Sequence, residues 1–359
     1  MSRNLSLILM SILLFLLLVI SIGSMAAQGD DAIVADGLNG PRGITFGPDG
    51  NLYIAETGTG GELTVIGQFG GPAQAGGTAA VTMVTPAGEQ SVLVGGLPSR
   101  DESGEVLGAG AVLLRDDILW VVLNQGTLTI PFTHSVIGLD RETLRVRHYI
   151  DVYTAEATQN PDGDIIDSNA VDVEMDLDGR LYIVDAGCNC VWRWTEGADE
   201  LEVFAVWFDN SVPTSISLAF DSVYIGFLTG FPFPEGGARV EQWSLDGELL
   251  NTFTGFTTVV DVLFANDTVY AVEFARFGEM GWVPNSGRVV DVLSGEVYAD
   301  GINMPYGLAF SMEQGLVLAI NSAYSGYGTG QVVRLDALMD GAFGAPSPME
   351  PAATPEVGS

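Results

Sequence analysis

The sequence predicts an all-β protein, a six-bladed β-propeller in which the N-terminal strand completes the last blade. One hairpin pattern recurs six times along the 359 residues, with its clearest copy at residues 37–56. In that copy two short runs alternate apolar and polar residues, as half-buried strands do, and Pro48-Asp49-Gly50 supplies the turn between them. A single hairpin cannot bury its apolar face alone, so the copies must pack on one another.

The other copies are weaker and follow in order along the chain. They cover residues 111–123, 171–185, 217–227, 261–273 and 306–320. Their spacing is short in the second half of the chain, as in compact four-stranded blades, and longer in the first half. We therefore expect insertions in the first half: a flexible glycine-rich loop at 57–78, and a loop at 153–168 with a turn signal at 160–163.

Both ends of the repeated region carry an unpaired strand. Residues 32–36 form a lone strand before the first hairpin, and residues 330–335 form a third strand after the last one. The N-terminal strand can therefore become the outermost strand of the last blade, which removes an exposed sheet edge. We predict a propeller over residues 32–336 and a disordered tail at 341–359, which is rich in Pro, Ala and Gly.

The N-terminus has the features of an export signal. Arg3 precedes an apolar run at residues 5–20, and Ser24-Met25-Ala26 offers a small-x-small cleavage site. We predict a signal peptide at residues 1–26 and a secreted or periplasmic protein with no stable membrane insertion after cleavage. The alternative is an uncleaved signal that anchors the protein in the membrane, because the run approaches a bilayer-spanning length.

The charge excludes several classes of function. The chain carries 46 acidic against 13 basic residues, a formal net charge of −33, and every basic residue is Arg. Such a surface repels nucleic acid and anionic lipid, so neither is an expected partner. The absence of Lys also excludes Schiff-base chemistry on a lysine.

Acidic side chains recur at one end of the hairpins. The start of the first strand of an antiparallel hairpin lies beside the end of its second strand, so residues at both places reach one mouth of the central channel. Second strands end in acids that we expect to hold a metal: Glu56, Asp185 and Glu273. Near the start of first strands lie residues that we expect to bind a ligand: Arg42, Asn169, Asp172, Ser217 (at the place that matches Asp172) and Asp261.

These residue types allow two kinds of chemistry. Converging carboxylate and amide oxygens suit Ca²⁺ or another divalent cation, and crowded carboxylates can also supply a general base. The alternative is that the acids are solvated, or paired with Arg42, as part of an acidic surface. A second acidic loop, with Asp162, Asp164 and Asp167, lacks the spacing of an EF-hand, which favours a solvated loop.

The two cysteines, Cys188 and Cys190, allow either free thiols or a local disulfide. An exported protein can form disulfides, but residues two apart close a tight ring. The sequence leaves both alternatives open.

Several phrases resemble one bacterial family. GLNGPRGITFGPDGNLYIAETG at 37–58, NPDGDIIDSN at 160–169, LYIVDAG at 181–187, VPTSISLAF at 212–220 and LTGFPFPEGGARV at 228–240 resemble the ScyD/ScyE family of exported proteins, which are related to NHL-repeat propellers. The resemblance implies a propeller and export, and no general activity. Phe227 departs from the family pattern, which has an acid there, and Asp172 stands where Gly is usual.

The sequence thus predicts a binding or accessory module with an acidic channel mouth, whose ligand is a small molecule, a polymer or a protein. The alternative is a divalent-metal-dependent hydrolase or lactonase, similar to gluconolactonase-like propellers, that holds its ion with Glu56, Asp185 and Glu273. A third interpretation is an interaction platform without a small-molecule site. The catalytic residues of the hydrolase alternative stay unassigned.

Overall fold

The computed structural model describes residues 32–68 and 70–339. The predicted signal peptide (1–26) and C-terminal tail (341–359) lie outside the described residues. No helix of the described part is long and apolar enough to cross a membrane.

The described chain is all-β, and all six predicted hairpins are present. Strand β1 (Ile33–Leu38) precedes them, and each hairpin opens one antiparallel sheet. Sheet 1 contains β2 (Pro41–Phe46), β3 (Leu52–Glu56), β4 (Leu63–Ile66), β5 (Pro72–Val84), β6 (Gln90–Glu102) and β7 (Glu105–Leu107). Sheet 2 contains β8 (Ala109–Arg115), β9 (Ile118–Leu123), β10 (Ser135–Asp140) and β11 (Val146–Asp151).

The remaining sheets have four strands each. Sheet 3 contains β12 (Ala170–Met175), β13 (Leu181–Asp185), β14 (Cys190–Trp194) and β15 (Glu202–Val206). Sheet 4 contains β16 (Pro213–Ala219), β17 (Ser222–Phe227), β18 (Ala238–Ser244) and β19 (Leu249–Phe256). Sheet 5 contains β20 (Val259–Ala265), β21 (Thr268–Glu273), β24 (Gly287–Asp291) and β25 (Val297–Ile302), and between its second and third strands a small hairpin pairs β22 (Phe277–Gly278) with β23 (Gly281–Trp282).

Sheet 6 joins the two ends of the described chain. It contains β26 (Leu308–Ser311), β27 (Gly315–Ile320), β28 (Gly330–Arg334) and, as its fourth strand, β1. Ile33 pairs with Val333 and Leu38 with Gly330. The N-terminal strand therefore completes the last sheet, as the sequence predicts.

The core lies between the sheets. Among the described residues, six buried hydrophobic clusters each combine residues from two sheets that follow one another, and the cluster that holds Leu38 and Ile54 joins sheet 6 to sheet 1. Trp192 is fully buried in the cluster between sheets 2 and 3. Second strands such as β3 and β13 are buried at every residue, because a strand that faces a neighbouring sheet on both sides carries apolar residues on both faces rather than alternating apolar with polar ones.

The first strands of the sheets contact one another in turn. β2 contacts β8, β8 contacts β12, β12 contacts β16, β16 contacts β20, β20 contacts β26, and β26 contacts β2. Together they line a cavity of about 140 Å³, which we call the channel cavity. We call the side of the molecule where the first strand of each sheet begins and the second strand ends the mouth face.

Two predicted loops contain regular structure. Residues 57–78, predicted as a flexible loop, include β4 and the first half of β5, which pairs with β6 as far as Gln74 opposite Asp101. That prediction was wrong because backbone pairing in a long hairpin outweighs the low strand propensity of Gly and Ala. Residues 153–168 include most of helix α1 (Val152–Gln159), whose first turn is capped by Asp151 Oδ1, which accepts from Thr154 N at 2.9 Å. A second, short helix, α2 (Leu335–Met339), follows β28.

Candidate functional site

Glu56, Asp185 and Glu273 occupy the same place in three different sheets. Each is the last residue of a second strand and pairs with the first residue of a first strand: Pro41, Ala170 and Val259 respectively. The register therefore puts each of them at the same end of its own hairpin, and that they share one mouth of a central channel stays a prediction. All three carboxylates are buried, with at most 5 % of their surface exposed.

Glu56 and Glu273 hold the chain segments that lead into their own sheets. Glu56 accepts from Asn39 N at 2.7 Å and from Thr82 Oγ1 at 2.5 Å. Glu273 accepts from Thr257 N at 2.9 Å and pairs with Arg288 Nε at 2.6 Å. The oxygens of Glu56 therefore accept hydrogen bonds from sheet 1 and the segment before it, and those of Glu273 from sheet 5 and the segment before it.

Asp185 likewise holds the chain segment that leads into sheet 3. Its Oδ1 accepts from Asn169 N at 2.7 Å, and its Oδ2 accepts from Ser168 Oγ at 2.8 Å and from Trp192 Nε1 at 3.3 Å. Groups of the protein itself therefore satisfy the buried oxygens of Asp185.

The structure does not bring the three acids together around one ion. Within the part of the chain that is described, the one group of three or more potential His, Cys, Asp or Glu ligands with their atoms within 4.8 Å of one another is Asp185, Cys188 and Cys190. Glu56 and Glu273 are outside it, so these three carboxylates do not fit a shared divalent cation, and no hydrolytic step can be derived from them. The cysteines of that group are bonded to each other, which decides between the two alternatives that the sequence leaves open.

Asp172 and Asp261 lie in the channel cavity and each bridges two sheets. Asp172 Oδ2 accepts from Ile216 N of sheet 4 at 2.8 Å, and Asp261 Oδ2 accepts from Leu308 N of sheet 6 at 2.6 Å. These bonds connect the first strands of neighbouring sheets around the cavity.

Ser217 also lines the channel cavity but not at the predicted place. It lies opposite Tyr224, as Glu174 lies opposite Tyr182, whereas Ser215 is the residue that matches Asp172. The prediction was wrong because the turn in sheet 4 is shorter than the turn in sheet 3, so Ser217 occupies the place of Glu174, two pairs along the strand from the place of Asp172. Ser217 Oγ nevertheless accepts from Phe264 N of sheet 5 at 2.9 Å.

Glu174 is a channel acid that the sequence analysis missed. It follows Asp172 by two residues, so the alternation of the strand puts it on the same side, and it lines the cavity together with Asp172 and Asp261. The three carboxyl groups keep some accessible surface because they face the cavity, but protein surrounds them. Burial raises the pKa of Asp172 to about 7 and raises the pKa of Glu174. Burial and the charge of Asp172 raise the pKa of Asp261 well above its ordinary value.

Arg42 lies beside the channel on the mouth face. It is 6 % exposed, its Nη2 donates to Val106 O at 3.1 Å, and its guanidinium lies 5.1 Å from the centroid of the Tyr306 ring. Among the described residues no carboxylate lies within 4.0 Å of it. The alternative in which the predicted acids pair with Arg42 was therefore wrong. β7 covers Arg42 with its backbone, so the long hairpin of sheet 1 reaches over the channel.

Asn169 lies in a larger cavity of about 380 Å³ on the mouth face, which we call the mouth pocket. Asn169 Oδ1 accepts from Gln125 N at 2.9 Å, so the side chain is held in place at the pocket wall. Carboxylates from β7 and from two loops line the pocket: Glu105, Asp162, Asp164, Asp167 and Asp209. Five amide side chains also line the pocket: Gln68, Gln125, Asn169, Asn189 and Asn210.

The mouth pocket is acidic and has an exposed aromatic ring. None of its lining residues is Arg, and Phe208 is 81 % exposed beside buried Trp207. Burial, followed by the charges of Asp185, Asp162 and Asp164, raises the pKa of Asp167 to about 6. The sequence signal for this site was the acidic loop at 162–167, but nothing in the alternation of the strands points to Glu105 or Asp209.

Comparison with solved structures supports a β-propeller fold for this all-β chain. The chain is similar to a Thermus thermophilus protein described as a glucose dehydrogenase, with a TM-score of 0.55 and 15 % identity, over 84 % of this chain and 98 % of that one. It is also similar to a gluconolactonase of Xanthomonas campestris, with a TM-score of 0.52 and 11 % identity, over 87 % of this chain and 92 % of that one.

A third similar structure is the calcium-binding protein regucalcin of Agrobacterium tumefaciens, with a TM-score of 0.50 and 12 % identity, over 85 % of this chain and 94 % of that one. No protein-family model and no curated protein matches the sequence. At these identities the likeness extends to the fold and not to the activity of the similar proteins.

Proposed function

We propose that residues 32–336 form a six-bladed β-propeller closed by the N-terminal strand. The support is the cycle of contacts between first strands, the hydrophobic cluster between sheets 6 and 1, and the pairing of β1 with β28. The proposal includes export by a signal peptide at residues 1–26, which rests on Arg3, the apolar run at 5–20 and the cleavage site that follows it. It also includes membership of the ScyD/ScyE type, which rests on the sequence phrases at 37–58, 212–220 and 228–240.

The same proposal assigns a binding function to the propeller, with the mouth pocket as the ligand site. One observation carries it: a cavity of about 380 Å³ on the mouth face is lined by five carboxylates and five amides and by no basic side chain. A cavity of this size accommodates a small organic ligand.

The chemistry of the lining defines the ligand class. Ionised carboxylates only accept hydrogen bonds, so the ligand must be rich in donors. Ammonium groups fit best, because they also neutralise the crowded negative charge and can stack on exposed Phe208. We therefore propose a cationic small molecule of the polyamine type as the ligand class.

Spermidine is the probe for this proposal. Its affinity for the full chain is measured by calorimetry in about 0.15 M NaCl, which screens diffuse attraction to the acidic surface, and in EDTA, which removes metals. We expect one site, and Glu105→Gln with Asp209→Asn is expected to weaken binding about fivefold to thirtyfold, since each lost charge contact is worth about 0.5–1 kcal/mol. These two acids come from different parts of the pocket lining, β7 and the segment before β16.

The matched control is Asp246→Asn with Glu248→Gln, which removes two exposed acids from a turn outside the pocket. Its affinity for spermidine should equal that of the unmodified protein. Equal weakening in both double variants would mean that spermidine binds the acidic surface as a whole, and the pocket proposal would be wrong.

A further inference from the structure

Two buried oxygen atoms at the C-terminal end of α1 have no hydrogen-bond partner. Glu156 is fully buried; its Oε1 accepts from Asp167 N at 3.2 Å, and its Oε2 has no partner. Asn160, the residue that ends the helix, has a buried Oδ1 that is also unpaired. An unpaired buried acceptor costs about 1–3 kcal/mol, so two of them in one place indicate a partner that the protein atoms do not supply.

Negative charge surrounds these oxygens and favours a cation beside them. Four more carboxylates surround the helix end: Asp162, Asp164, Asp167 and Asp185. None of these four or Glu156 forms an ion pair with a described residue. The C-terminal end of a helix itself carries partial negative charge, and the last turn of α1 has no basic residue to offset it.

We propose that the C-terminal end of α1 and the loop at 160–167 bind one Ca²⁺ ion, with Glu156 Oε2 and Asn160 Oδ1 as its buried ligands. Carboxylate and amide oxygens are hard ligands that suit Ca²⁺. Glu156 lies in the last turn of α1 and Asn160 is the cap residue directly after the helix, so both ligands belong to its C-terminal end. The carbonyl groups that the helix end leaves unpaired can supply further oxygens.

The number of carboxylates in reach sets the strength of binding. Among the described residues no three of these carboxylates have oxygen atoms within 4.8 Å of one another, so at most two of them share an ion in the observed geometry. Amide, carbonyl and water oxygens complete the coordination. A site with few charged ligands binds weakly, and we expect a dissociation constant of about 0.1–1 mM, in the range of extracellular calcium modules.

The proposed Ca²⁺ site is distinct from the proposed polyamine site, although Asp162, Asp164 and Asp167 of its loop line the mouth pocket. Neither Glu156 nor Asn160 lines that pocket. Because the spermidine experiment is done in EDTA and changes other residues, either proposal can fail without the other.

The test is a calcium titration of the full chain, followed by calorimetry and thermal unfolding. We expect one ion per chain and a rise in Tm with Ca²⁺, while Mg²⁺ at the same concentration has a smaller effect because it demands regular octahedral ligands. Glu156→Gln keeps the shape of the side chain and should weaken Ca²⁺ binding at least tenfold. Asn160→Asp keeps the ligand atom, adds a charge and should strengthen binding.

The matched control is Glu142→Gln, an exposed acid on the turn between β10 and β11. It should bind Ca²⁺ as the unmodified protein does. The proposal is overturned if the unmodified protein shows no saturable Ca²⁺ binding, or if Glu156→Gln binds the ion as tightly as Glu142→Gln.

Discussion

At the scale of single residues, side chains of the channel connect the sheets. Asp172, Ser217 and Asp261 each accept a backbone N–H from the first strand of the next sheet. Most first-strand N–H groups near a channel have no strand on their inner side, so a side-chain acceptor replaces the missing ladder. The predicted ligand residues of the channel thus have a structural role in the observed geometry.

Asp172 makes this role dependent on pH. Burial raises its pKa from 3.8 to about 7 in the folded protein. The folded state therefore keeps a proton that the unfolded chain loses between about pH 4 and pH 7. The stability that this proton contributes is present below about pH 4 and is lost as the pH rises to about 7.

We predict that Asp172→Asn stabilises the protein at pH 8 and has little effect at pH 4. One pKa unit corresponds to about 1.4 kcal/mol. The carboxylate accepts from both Val173 N and Ile216 N, whereas the amide has one acceptor oxygen and loses one of these bonds, so we expect a net gain of about 1–3 kcal/mol at pH 8. Urea unfolding at both pH values measures it. Asp246→Asn, at an exposed turn, is the control and should change the free energy of unfolding at neither pH. A loss of stability at pH 8 would contradict the assignment of a raised pKa.

The positions of the mouth-face acids could be predicted from the sequence, but their partners could not. Alternation and turn signals place Glu56, Asp185 and Glu273 at the ends of second strands, and the register agrees. Their hydrogen bonds come from the loops that precede the first strands, and a pattern within one hairpin does not describe those loops. The same limit explains Glu156, whose unpaired oxygen becomes visible when α1 and the following loop are seen together.

At the scale of elements, the long hairpin of sheet 1 shapes the mouth face. β5 and β6 extend beyond the four-stranded core, and Tyr327 Oη of sheet 6 donates to Asp101 Oδ2 at 2.5 Å. Arg42 also donates to Val106 O of β7. These two hydrogen bonds hold the hairpin over the channel from two sides. The sequence did not reveal it, because Gly and Ala dominate the paired residues and these types carry no strand signal.

The N-terminal strand is the element whose removal tests closure most directly. β1 covers β28, and Ala35 and Leu38 are buried between sheets 6 and 1. A chain that begins at residue 40 should lose about 3–6 kcal/mol from these two side chains and the ladder, and it should aggregate through the exposed edge of β28. Light scattering and thermal unfolding measure both effects.

A chain that begins at residue 32 is the control for that truncation, since it keeps β1 complete. It should remain monodisperse and unfold at the temperature of the longer chain. If the chain from residue 40 unfolds at the same temperature as this control, β1 does not contribute to the last sheet in solution.

At the scale of the whole molecule, negative charge opposes the compact state. The net charge is −33. Burial, with a smaller contribution from neighbouring carboxylates, raises the pKa to about 8 for Glu156, to about 7 for Asp172 and to about 6 for Asp167. Each value is above that of the unfolded chain, so the folded protein binds more protons from about pH 4 to pH 8. Stability should therefore fall as the pH rises through this window.

Added salt distinguishes the two sources of this fall in stability, which are repulsion between surface charges and the ionisation of buried carboxyl groups. Raising NaCl from about 0.05 M to about 0.5 M at pH 8 shortens the range of surface repulsion from about 14 Å to about 4 Å, while buried groups are screened much less. We predict that Tm rises by several degrees with salt at pH 8 and by less at pH 5, where protonation has already removed part of the repulsion. Calorimetric scans in EDTA measure both values, with NaCl as the added salt. If Tm is independent of salt at pH 8, the surface charge is not the dominant opposing term, and the pH dependence must come from the buried carboxyl groups of the channel and the α1 loop.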